Sequence, residues 1–70
     1  RKCMLRETMI NAAIKHAEAE IGLHKANVEV YMSKVVGIGE HSDIIETIQK
    51  ELDKMAAAHD RLEMLNKYFG

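Results

Sequence analysis

Apolar residues recur at alternating three- and four-residue steps along most of this chain. In the first half, Cys3, Ile10, Ala17, His24 and Tyr31 form one line of a heptad, and Glu7, Ile14, Ile21, Val28 and Val35 form the other. In the second half the corresponding lines are Ile45, Leu52, His59 and Asn66, and Ile48, Met55, Leu62 and Phe69. Such a seam, sustained over four heptads, predicts coiled-coil-like helices. No apolar–polar alternation of useful length competes as a strand signal. Between the halves lies Gly37-Ile38-Gly39-Glu40-His41-Ser42. Gly37 suits the left-handed residue that ends a helix, with Ile38 as its apolar contact. Asp43, followed three residues later by Glu46, reads as a capping box that starts the next helix, with Ser42 as the competing cap.

The pattern therefore predicts an all-α fold of one domain spanning residues 1–70. Helix 1 covers about 2–36, the turn about 37–42 and helix 2 about 43–69. A connection this short makes the helices antiparallel neighbours. The expected hairpin core is Ile10, Ile14, Ile21, Val28, Val35, Ile45, Ile48, Leu52, Met55, Leu62 and Phe69. In the expected register Val35 lies by Ile45, Val28 by Leu52, Ile21 by His59 and Ile10 by Phe69. That pairing leaves Arg1 to Thr8 as an overhang beyond helix 2.

Helix 1 carries a second apolar stripe, Leu5, Met9, Ala12, His16, Ala19, Leu23, Ala26 and Val30. At 100° per residue it lies about 160° from the seam, so one partner helix covers only one of the two faces. Ala12, Ala19 and Ala26, spaced by sevens, let a second helix come close. The expectation is that this stripe is an oligomer interface. Hairpins then assemble into a four-helix bundle or a larger helical oligomer, most simply as a dimer.

Composition supports that view. A chain of 70 residues with a single cysteine cannot form an internal disulfide. Small domains without such a staple usually rely on a metal or on oligomerisation. Ten basic residues against eleven acidic ones give a net charge of −1, which supplies no general attraction to nucleic acid or anionic membrane. Lys15, Lys25 and Lys34 are interleaved with Glu18, Glu20 and Glu29, so no basic stripe forms. No apolar run approaches membrane length and no signal-peptide pattern opens the sequence. A cytoplasmic location without membrane association is expected.

Four groups of residues offer candidate chemistry. His24 and His59 fall on the expected seam, where facing imidazoles with Glu20 and Glu63 nearby would suit a transition metal. The plainer reading makes them polar seam residues that set register, like Asn66. Cys3 has cations nearby in Arg1, Lys2 and Arg6 but no adjacent base in sequence, which favours a simple small apolar residue. Gly37-Ile38-Gly39 lacks the preceding strand of a phosphate loop. The five methionines fit ordinary core filling more readily than an adaptable groove. The sequence thus leads to a non-catalytic, self-associating helical module, without a cofactor, that mediates protein–protein interaction or assembly. Its partners would be a second copy of itself and another protein. A nucleic-acid-binding bundle and a metal-binding bundle built on His24 and His59 are the alternatives.

Overall fold

The computed structural model describes residues 2–34 and 41–70. Two helices make up almost all of this, α1 at Lys2–Lys34 and α2 at His41–Phe69. They pack against each other along their length. Cross-helix contacts run in opposite senses: Arg6 reaches Phe69, Glu20 reaches Arg61 and His24 reaches Glu51. The pair is therefore an antiparallel hairpin. No described helix is long and apolar enough to cross a membrane.

Local sequence accounts for both elements. Each is free of proline and built largely from Ala, Leu, Met, Ile, Glu and Lys. Acidic Asp43 lies in the first turn of α2 and basic Lys67 in its last, each favourable to the helix dipole. Asp43 is not the N-cap expected of a capping box. Helix α2 begins at His41, so Asp43 is already helical, and its carbonyl accepts a hydrogen bond from the Thr47 hydroxyl at 2.9 Å. Val35, Gly37, Ile38 and the rest of the expected turn up to Glu40 lie outside the described residues.

On α1 the buried or half-buried line is Ile10, Ile14, Ala17, Ile21, His24, Val28 and Tyr31, which follows the expected seam except at Glu7, which is exposed. On α2 the observed line is Ile44, Ile48, Glu51, Met55, Ala58, Leu62 and Leu65. Ile48, Met55 and Leu62 match expectation, but Ile45, Leu52 and Phe69 do not. Those three are 54%, 46% and 52% exposed. Helix α2 is turned by roughly 50° relative to the expected seam. The turn replaces His59 by Ala58 and Asn66 by Leu65 at the contact. Ala58 and Ala17 are completely buried, which marks where the helices come nearest. The rotation also brings Glu51 into the seam, where His24 and Asn27 supply donors.

The overhang is shorter than the sequence suggested. The Arg6 guanidinium donates to the Phe69 carbonyl at 3.4 Å, and Leu5, Met9, Ile10 and Phe69 border a common hollow. Helix α2 thus reaches back to the second turn of α1.

Candidate interaction surface

The outward face of α1 carries every residue of the second stripe. Leu5, Met9, Leu23 and Val30 are 67%, 63%, 57% and 49% exposed, and Ala12, His16, Ala19 and Ala26 between them are exposed as well. Helix periodicity puts these side chains on one side of α1, although Leu5 and Met9 at one end border a hollow shared with Phe69 of α2, and His16 borders one shared with Arg61, Met64 and Leu65. The two apolar faces of α1 are opposed, whereas α2 gathers its apolar residues on one side. A helix apolar on two sides needs a partner on each.

Beside this stripe, toward α2, lies a chain of charged groups. Arg61 donates to Glu20 at 2.6 Å, and the His16 ring approaches the same carboxylate oxygen at 3.1 Å. The Arg61 hydrogen bond, aided by its charge, holds the Glu20 carboxyl below the usual glutamate range. This ion pair ties α2 to the edge of the stripe and fixes where His16 and Glu20 stand.

Deeper in the seam is a polar layer. His24 Nδ1 lies 2.7 Å from Glu51 Oε1, and Asn27 Nδ2 donates to that oxygen at 2.9 Å. Glu51 is only 9% exposed. Donation from Asn27, and then from His24, lowers its pKa against the opposing effect of burial. Among the described residues, no buried side-chain polar atom lacks a partner. The layer joins two residues of α1 to one of α2, so a shift of either helix breaks it.

His24 is held by Glu51, while His59 is exposed beside a shallow groove with Ile21, Leu52 and Met55. Among the described residues, no group of three or more His, Cys, Asp or Glu side chains is placed to hold a metal ion. Sequence reasoning missed Glu51 and Arg61. The step from Ile48 through residue 51 to Met55 follows the heptad spacing, which was the available signal for Glu51. The Arg61–Glu20 pair spans 41 residues and depends on the register between helices, which the local sequence does not carry.

No protein-family model, curated protein or solved structure matches this chain. The functional reading therefore rests on the hairpin itself.

Proposed function

We propose that this protein is a non-catalytic helical module whose working form is an assembly of hairpins, joined through the outward stripe of α1. The observation that carries this reading is the row of exposed large apolar side chains, Leu5, Met9, Leu23 and Val30, on a helix whose other face is already occupied. Contiguous apolar surface of this kind commonly marks an interaction site. A dimer of hairpins, and so a four-helix bundle, is the simplest arrangement that covers it. As an assembly module the protein would present its remaining helix faces to a further protein.

Size points the same way. The chain has an accessible surface of 5577 Å². A compact monomer of its 7.9 kDa mass would expose about 4,400 Å². The excess exceeds the roughly 800 Å² that each partner buries in a standard interface.

Leu23→Asp tests the proposal by placing a charge in the middle of the stripe. Its solution mass, measured by light scattering, is expected to fall to that of one chain, with a loss of helical circular dichroism. Glu29→Gln, off the stripe, should keep the native mass. An unchanged mass for Leu23→Asp would exclude the stripe as the interface.

A further inference from the structure

We infer that α2 is a helix with two settings: a turn about its own axis inside the hairpin exchanges the observed seam for one through Ile45, Leu52 and His59, and the Glu51 layer is the catch that holds the observed setting. The inference concerns the seam within one hairpin and is independent of how hairpins assemble.

Two lines of α2 compete for the same contact. Ile48, Met55 and Leu62 are half-buried. At helical spacing they lie between the two lines, so they stay at the contact in either setting. Beside them the structure uses Ile44, Glu51, Ala58 and Leu65, and it leaves Ile45, Leu52, His59 and Asn66 exposed. A turn of roughly 50° converts one seam into the other. The exchange is close to even, residue by residue. Ile45 replaces Ile44 without loss of apolar surface. Leu52 replaces Glu51, which favours the turned setting. His59 replaces Ala58 and Asn66 replaces Leu65, which favours the observed one. Packed elements with two such arrangements are moved between them by small differences in contact.

The hairpin has room for the turn. The shallow groove bordered by Ile21, Leu52, Met55 and His59 opens on the side toward which Leu52 would move. The completely buried Ala17 and Ala58 mark the one place where the helices must separate, to admit the larger His59 ring.

The catch is polar. Glu51 is 9% exposed, and its Oε1 accepts from Asn27 at 2.9 Å and lies 2.7 Å from His24 Nδ1. The turn would carry this carboxylate out to water and break both contacts. Arg61 stands about 180° around α2 from Leu52. The same turn therefore draws it away from Glu20, which it now meets at 2.6 Å. That exposed pair contributes little, so the buried layer decides. Without its donors the Glu51 carboxylate is costly to bury, and the balance passes to the Leu52 line. The two settings offer different faces of α2 to the outside, Ile45 and Leu52 in one, Ala58 and Leu65 in the other. A partner that binds one face thereby selects its setting.

Thiol reactivity tests the inference, in a Cys3→Ser background with His59→Cys or Leu65→Cys as the single reporter. With the layer intact, the thiol of His59→Cys is expected to react faster with a disulfide reagent than that of Leu65→Cys. Adding His24→Leu and Asn27→Ala removes both donors, and the order is expected to reverse while helical circular dichroism is kept. Further addition of Glu51→Leu, which needs no donor, is expected to restore the original order. An unchanged order in a helical protein that lacks the donors would overturn the inference, because Glu51 would then be no catch. Loss of the helical signal with both thiols fast would overturn it too, because no second setting would exist. Failure of Glu51→Leu to restore the order would show that another contact sets α2, with the same consequence.

Discussion

Glu51 is where a single side chain has most influence on how this hairpin is set. It occupies a seam position that an apolar residue would normally fill, and it is retained with two donors from the facing helix. A buried polar group of this kind adds little net stability but strongly disfavours shifted pairings, because any shift leaves it unpaired. Its pKa is lowered in the fold, so its stabilising contribution is complete above the ordinary glutamate value of 4.5 and disappears as pH falls through the depressed value. The thermal midpoint of the wild type should therefore drop as the solution is acidified below that range. Glu51→Gln, which does not titrate there, should have a lower midpoint at neutral pH and a shallower acid decline. Glu20, with its pKa also lowered, keeps some of the decline in the variant. Parallel curves for the two proteins, followed by circular dichroism, would contradict this role.

At the scale of the helices, Gly22 gives a direct check on α1. It stands in mid-helix, and a Cβ built there meets nothing within 4 Å in the chain. Gly22→Ala should therefore raise the unfolding free energy by about 1 kcal/mol, the usual difference in helix propensity. Urea denaturation giving no gain, or a loss, would mean that something outside the chain occupies that space. The middle of the α1 seam was legible in the sequence, because Ile10, Ile14, Ile21 and Val28 leave one choice of face on that side, whereas Glu7 was placed on it and is exposed. The seam of α2 was only half legible. Ile44 and Ile45 are adjacent, as are Glu51 and Leu52, and apolar counting favours the second of each pair. The structure instead buries the line that contains Ala58 and Leu65, at the expense of exposing Leu52. That line carries Glu51, whose partners His24 and Asn27 belong to the other helix and leave no trace in the periodicity of α2. The outward stripe, by contrast, needed only the period of one helix, and its residues are exposed as that period places them.

As a whole the chain is a rod, with extents of 58 × 16 × 12 Å. Its radius of gyration is 16.4 Å, against about 11 Å for a compact domain of this length. Among the described residues, the two helices side by side bury the apolar side chains of only Ala17, Val28 and Ala58. A core this thin gives the isolated hairpin little to hold it together, and small domains in that position are commonly stabilised by association. Folding and assembly should then be linked, so that dilution lowers both mass and helicity. The central claim is that the working unit is more than one chain. Its most direct test is the mass of the wild-type protein by sedimentation equilibrium over a dilution series. The account predicts a mass of at least twice 7.9 kDa at the higher concentrations, falling together with the helical signal on dilution. A fully helical species with the mass of one chain at every concentration would contradict it.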